Sequence, residues 1–134
     1  MGITVYPPQS EPNNLGDLLK FEADNLYSRD RVTVAAQQAL QLGHVVGRIT
    51  ATGEVAALDP AATDGREQAV GVVIVPILTA DAPSPDGLIV ARHATVADHA
   101  LVWPKAITPN SARLASSNCA LPACSCVKEP DPCR

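Results

Sequence analysis

The four cysteines of the chain all lie in its last sixteen residues and are the first candidates for chemistry. Cys119, Cys124, Cys126 and Cys133 have the spacing C-x4-C-x-C-x6-C, which three prolines interrupt. A zinc site usually has two closely spaced pairs with a wide gap between them, and a disulfide framework spreads its cysteines over the fold. Reduced thiols without a site are therefore the favoured interpretation. A small metal-binding or redox module that uses this tail remains the alternative.

Histidine and aspartate, the other residue types that often carry chemistry, form no recognisable motif. His93 and His99 are close in sequence, but their spacing matches no metal-ligand motif, and His44 is far from both. Aspartates in turns usually accept backbone hydrogen bonds, whereas acid–base catalysis needs a paired group in a pocket. Because nucleophile-elbow, Walker A and dinucleotide-binding motifs are also absent, we expect no catalytic residue, no metal ligand and no cofactor. The aspartates in turns are Asp59, Asp64, Asp81, Asp86 and Asp98.

The composition of the 134-residue chain predicts one domain with a single aliphatic core. Hydrophobic residues make up 46% of the chain and aromatic residues only 3%, so valine, isoleucine, leucine and alanine must fill the core. Each of these side chains buries little area, and a thin core is often completed by a partner subunit. We therefore expect an oligomer.

The charge of the chain argues against two classes of partner. A net charge of -4 disfavours binding to the phosphate backbone of nucleic acids, which needs clustered Lys and Arg. The charged stretch from Ser28 to Arg31 includes Asp30, so a solvated, internally paired segment is favoured over a phosphate-binding cluster. No apolar run is long enough to span a membrane, and no signal segment follows Met1. We expect no nucleic-acid partner, no membrane partner and synthesis in the cytoplasm.

The stretch of residues 42–78 predicts the centre of the fold. Its runs of Val and Ile alternate with turn-forming pairs such as Thr52-Gly53 and Asp64-Gly65, which predicts strands of one antiparallel unit. Pro76 cannot donate a ladder hydrogen bond, so the last of these strands should bulge or reach an edge there. A polar connector is predicted at residues 37–41 and a surface loop at residues 79–87. The predicted strands are residues 32–36, 44–50, 54–58, 69–78, 88–94 and 101–104.

A short C-terminal helix is predicted after these strands. Thr108 resembles a helix N-cap and Pro109 suits the first helical position, so the helix should run to about Ser117. Before it, the only tryptophan of the chain, Trp103, lies with Leu101 and Pro104 in a short apolar run and is predicted to lie in the core or in a subunit interface. The predicted fold class is therefore mainly β with a short C-terminal helix.

Residues 1–30 predict an extended arm, because prolines and adjacent asparagines break helices and central strands. Ile3, Thr4, Val5 and Tyr6 favour a strand but have no hairpin partner nearby, so they either add to the edge of another sheet or fray as a terminus. The predicted division of the chain is an arm at residues 1–30, a β-rich core at residues 31–118 and a Cys- and Pro-rich tail at residues 119–134. The apolar residues that should pin the arm to the core are Leu15, Leu18, Leu19 and Phe21.

Several ordered motifs carry a resemblance to a known family. They are Ser28-Arg29-Asp30 with Val32-Thr33-Val34-Ala35-Ala36, Gly43 to Gly53, Asp59-Pro60-Ala61-Ala62 with Asp64-Gly65, and Leu101-Val102-Trp103-Pro104. In this order they resemble the head decoration proteins of tailed bacteriophages, the family of the lambda phage decoration protein D. The chain departs from that family after residue 118, where relatives commonly continue with a longer helix and an apolar last strand.

The resemblance implies a small domain of the β-tulip type that forms a homotrimer. It implies a structural role on the outer surface of an expanded phage head, at local three-fold positions, where trimers stabilise the head against internal genome pressure. The implied partners are the major capsid protein and further copies of the chain, and the implied location is the virion after synthesis in the host cytoplasm. The capsid-binding arm falls on Ile3, Thr4, Val5 and Tyr6, and the core or trimer interface on Leu101, Trp103 and Pro104.

Overall fold

Short strands rich in valine and alanine dominate the computed structural model of the chain, which describes residues 10–105, residue 107 and the backbone of residues 124–127. One α-helix, α1, spans Leu15–Leu18, and two short 3-10 turns span Asp24–Leu26 and Asp98–Ala100. The mainly β fold class is confirmed. The strands are β1 Leu19–Glu22, β2 Arg29–Val34, β3 Ala39–Leu40, β4 Val45–Arg48, β5 Val55–Ala57, β6 Ala69–Val73, β7 Ile77–Leu78, β8 Ser84–Val90, β9 Ala94–Ala97 and β10 Cys124–Val127.

Five of these strands form a closed barrel in the order β2, β5, β4, β6 and β8. Strand β4 pairs antiparallel with both β5 and β6, which confirms the antiparallel unit predicted for residues 42–78. Strand β8 pairs antiparallel with β6 and β2, and a short parallel contact between Val34 of β2 and Val55 of β5 closes the ring. Closure leaves these five strands without an unpaired edge.

Successive residues of the central barrel strands face two different clusters of buried side chains. Val46 and Val73 lie with Ile89 in the barrel cluster, to which all five barrel strands contribute. Their chain neighbours Val45 and Val72 lie in an outer cluster with Leu18 and residues of β9. Because side chains alternate across a strand, β4, β6 and β8 are buried on both faces. The expectation of one core is therefore wrong: the strands separate two.

The outer cluster is covered by a three-stranded sheet in the order β1, β9 and β10. Strand β1 pairs antiparallel and β10 parallel with β9. A separate two-stranded ribbon joins β3 to β7. Strand β10 lies in the predicted Cys- and Pro-rich tail, and its register pairs Cys124 with Ala94 and Cys126 with Val96.

The described α-helix lies near the amino terminus and not, as predicted, near the carboxyl terminus; the predicted helix at residues 108–117 lies outside the described residues. Helix α1 forms because Asn14 and Asp17 make a capping box. The Asn14 side chain accepts hydrogen bonds from the Gly16 and Asp17 amides at 2.8 and 3.2 Å, and the Asp17 carboxylate accepts one from the Asn14 amide at 2.8 Å. Asn14, which was expected to break a helix, is therefore the N-cap residue of α1.

Four further predictions differ from the structure in the second half of the chain. The single strand predicted at residues 69–78 is two strands, β6 and β7, and Pro76 lies between them as its missing donor requires. The predicted loop at residues 79–87 contains the first half of β8. The strand predicted at residues 88–94 ends at Val90, and a turn with His93 at φ 46 leads into β9. The strand predicted at residues 101–104 is a single bridge from Val102 to His44.

Candidate interaction surfaces

Only some of the predicted site residues lie within the described structure. The arm residues Ile3, Thr4, Val5 and Tyr6 lie outside the described residues. Leu101 and Trp103 are half-buried and pack against the outer cluster. Pro104, also half-buried, follows them directly.

Two of the candidate chemical residues, His44 and His93, contact different parts of the chain. His44 accepts a hydrogen bond from the Gln41 amide at 2.7 Å, and the His93 ring lies 5.3 Å from the Tyr27 ring. Within the described residues no group of three or more His, Cys, Asp or Glu is placed to hold a metal ion. The cysteine-tail alternative concerns side chains that lie outside the described part of the chain. None of the described helices is long and apolar enough to cross a membrane.

Most of the exposed large apolar side chains in the described residues fall on two segments, and Leu15 and Val102 lie outside both. We define the ribbon surface as Ala39, Val75, Pro76 and Leu78, on and beside the β3–β7 ribbon. We define the turn surface as Phe21, Leu26 and Tyr27, on β1 and the turn that follows it. Concentrated apolar exposure is typical of interaction surfaces, whereas single exposed apolar residues are ordinary. The two surfaces are therefore the candidate functional sites in the described residues.

The ribbon surface surrounds a shallow groove of about 320 Å³. Leu78 at its margin is 81% exposed, more than any other large apolar side chain in the described residues. Strands β3 and β7 hydrogen-bond to each other and, within the described structure, extend no other sheet. The residues that line the groove are Ala39, Leu40, Gln41, Pro76, Ile77 and Leu78.

A buried threonine fixes the ribbon to the barrel. The Thr79 hydroxyl donates to the Ala35 carbonyl at 2.7 Å and accepts from the Gln38 amide at 2.8 Å. The Gln38 side chain in turn accepts a hydrogen bond from the Ala57 amide of β5 at 3.0 Å. These bonds connect the residues that flank β3 and β7 to barrel strands, so the ribbon has a defined position without belonging to the barrel.

A buried serine fixes the turn surface in a similar way. The Ser28 hydroxyl accepts from the Ala23 amide and donates to the His93 carbonyl, each at 2.9 Å. Asn25, Leu26 and His93 all have positive φ angles, which are uncommon in residues other than glycine. Backbone strain of this kind persists only where surrounding contacts hold it, and it is frequent at binding sites. Ser28 connects the turn to the segment that carries His93.

Two ion pairs flank the turn surface. Arg29 donates two hydrogen bonds to the Glu22 carboxylate at 2.6 and 2.7 Å, and these bonds lower the pKa of Glu22. Arg92 donates to both oxygens of Asp30 at 2.6 Å and lies 5.2 Å above the Tyr27 ring. The expectation that the stretch from Ser28 to Arg31 pairs internally is therefore wrong, because Arg29 and Asp30 pair with residues of other segments.

The family model of the bacteriophage lambda head decoration protein D matches residues 8–121. The chain belongs to this family. The match spans α1, the barrel and both apolar surfaces of this head decoration family member, whereas Ile3 to Tyr6 and the last three cysteines lie outside it. No curated protein matches the chain.

The sequence alone did not identify the two surfaces, for reasons that the structure explains. Residues 69–78 predicted one continuous strand, so nothing distinguished the exposed Leu78 from the buried Val73. The break at Pro76 was the available signal, because a strand that loses its ladder there has freedom to leave the barrel. Ser28 belongs to a motif that carried the family resemblance, but its hydroxyl could not be assigned a partner 65 residues away.

We expect Thr79→Val to destabilise this family member more than Thr79→Ser. The valine variant leaves the Gln38 amide without its acceptor and the Ala35 carbonyl without its donor, which should lower the free energy of unfolding by about 1–3 kcal/mol. The serine variant keeps the hydroxyl and loses only a methyl group. Urea unfolding measures both losses, and faster hydrogen exchange confined to the Gln38 region would locate the effect. Equal losses in the two variants would contradict this role of the hydroxyl.

The Glu22–Arg29 pair should make a stability contribution that depends on pH. Because the pKa of Glu22 is lowered in the folded protein, the pair stabilises above the unfolded-state pKa of about 4.3, and this stability is lost as the pH falls through the folded-state pKa. Glu22→Gln should therefore lower the free energy of unfolding at pH 7 by about 1 kcal/mol or less. The difference between wild type and variant should shrink below about pH 4. Urea unfolding from pH 7 to pH 3 checks this, and a difference independent of pH contradicts it.

Proposed function

We propose that this chain is a capsid-stabilising decoration protein that binds as a homotrimer to the outer surface of an expanded phage head. Its binding positions are the local three-fold positions, and its partners are the major capsid protein and two further copies of itself. The observation that carries this proposal is the family match over residues 8–121. In this role the protein stabilises the head against internal genome pressure by connecting neighbouring capsid proteins.

The described structure supports a trimer through the distribution of its apolar surfaces. A ring with three-fold symmetry has head-to-tail contacts, in which one surface of each copy meets a different surface of the next. The ribbon surface and the turn surface are two such different surfaces on separate sheets of the fold. We assign the half-buried Leu101, Trp103 and Pro104 to the core or to the trimer interface.

The amino-terminal arm supplies the contact with the capsid in this proposal. Ile3, Thr4, Val5 and Tyr6 favour an extended strand that adds to a sheet edge of the major capsid protein. The capping box at Asn14 fixes the point from which the arm departs, because α1 starts there and Leu18 is fully buried. A trimer carries three arms, so each arm after the first binds at high effective concentration.

Deletion of residues 1–9 should abolish stable binding to expanded heads while leaving a folded trimer. The deletion keeps the capping box and every described strand, because all of them lie after residue 9. Loss of a multivalent contact should weaken binding by about 10²-fold or more. Co-sedimentation with expanded heads measures binding, and sedimentation velocity measures the oligomeric state.

A matched pair of variants tests strand addition itself. Val5→Pro removes a backbone donor and disfavours a paired strand, so it should weaken head binding, whereas Val5→Thr should bind nearly as wild type. Full-strength binding by the truncated protein or by Val5→Pro would contradict the arm mechanism. It would not contradict the proposal that the protein binds expanded heads as a trimer. A wild-type protein that fails to bind expanded heads would contradict the proposed function as a whole.

A further inference from the structure

We infer that the ribbon surface of one copy receives the turn surface of the next copy around the trimer. The inference rests on the proposed function, since it assigns the two halves of the proposed interface. In this arrangement the apolar side chains of Leu26 and Tyr27 enter the groove beside Leu78 of the neighbouring copy. Each copy uses each surface once, so three identical contacts close the ring.

The charges of the two surfaces favour this pairing. Copies of a chain with net charge -4 repel one another, so they associate best through uncharged surfaces. None of the residues that line the groove is charged. At the turn surface, Glu22 and Asp30 are neutralised by their ion pairs, and the exposed Asp24 is the remaining charged side chain of the turn. A single charge at the rim of an apolar contact can stay hydrated.

The two surfaces have complementary shapes, because one is a groove and the other is a turn. The ribbon surface has a groove of about 320 Å³, and the turn surface presents Leu26, which is 60% exposed, at a turn between two strands. A pairing of two ribbon surfaces would instead give a two-fold dimer, because a surface that meets its own copy closes after two subunits. The pairing of ribbon with turn is the one that continues to a ring.

Both surfaces are held in place before any partner binds. Thr79 and Ser28, the two buried polar side chains of the described residues, each fix one of them through hydrogen bonds to a distant segment. A surface that is already ordered loses little conformational entropy on association, so a modest apolar contact can be stable. The ribbon also has unpaired edges, and exposed strand edges favour unwanted pairing. A neighbouring copy that covers the ribbon would prevent such pairing.

A charge exchange across the interface tests this inference. Leu78→Lys and Leu26→Glu each place a charge in an apolar contact and should weaken trimer formation at least tenfold, as measured by sedimentation velocity over a range of concentrations. The variant that combines both substitutions places the introduced ammonium group of one copy beside the introduced carboxylate of the next and should recover most of the lost association. Leu15→Lys, at an exposed apolar residue outside both surfaces, is the matched control and should form trimers as wild type.

The outcomes separate this inference from the proposed function. Single variants that remain trimeric would overturn the inference without contradicting the proposed trimer. Single variants that weaken the trimer, with no recovery in the double variant, would also overturn the inference. Single variants that stay trimeric but no longer bind expanded heads would show that the surfaces face the capsid, which also overturns it. A wild-type protein that is monomeric at all concentrations would overturn both the inference and the proposed trimer. Circular dichroism of each variant establishes that it is folded.

Discussion

The barrel closes where Val34 of β2 pairs in parallel with Val55 of β5, and the rest of the fold depends on this short contact. The Ala35 amide donates a hydrogen bond to the Val55 carbonyl at 2.9 Å, and the Ala35 carbonyl accepts one from the Thr79 hydroxyl. Without this closure β2 and β5 would be edge strands, and the barrel cluster of valines would open to water. With closure, a chain almost without aromatic side chains buries three neighbouring strands on both faces. Strand closure thus compensates for the small area that each aliphatic side chain can bury.

The same closure determines which elements keep unpaired edges and exposed apolar side chains. The closed barrel has no free edge, so the unpaired edges and exposed apolar side chains lie on the β3–β7 ribbon and on the outer sheet with its following turn. Ser28 and Thr79 then connect these peripheral elements back to the body through hydrogen bonds that leave no described buried side-chain polar atom unsatisfied. A rigid body with fixed apolar surfaces suits a protein whose proposed role is to connect other proteins.

Much of the barrel follows from local pattern, and much of the periphery does not. Strands β2, β4, β5 and β6 were predictable because runs of Val and Ile lie between turn residues. Strands β1 and β9 were not, because Leu19–Glu22 and Ala94–Ala97 are short and form strands through pairing with distant segments. Helix α1 was not predicted because the prolines and adjacent asparagines before it indicate a break, whereas Asn14 forms a capping box with Asp17. The surfaces depend on contacts across 44 residues for Thr79 and 65 residues for Ser28, which no local pattern reveals.

Membership of the head decoration family and two pre-ordered apolar surfaces lead to one account, in which the chain acts by assembly on the phage head. The most direct test is electron cryo-microscopy of expanded heads that lack decoration protein, imaged before and after addition of the purified chain. The account predicts new trimeric density on the outer surface at the local three-fold positions. Heads that remain bare at saturating protein concentration, or that carry the added density at other positions, would contradict it.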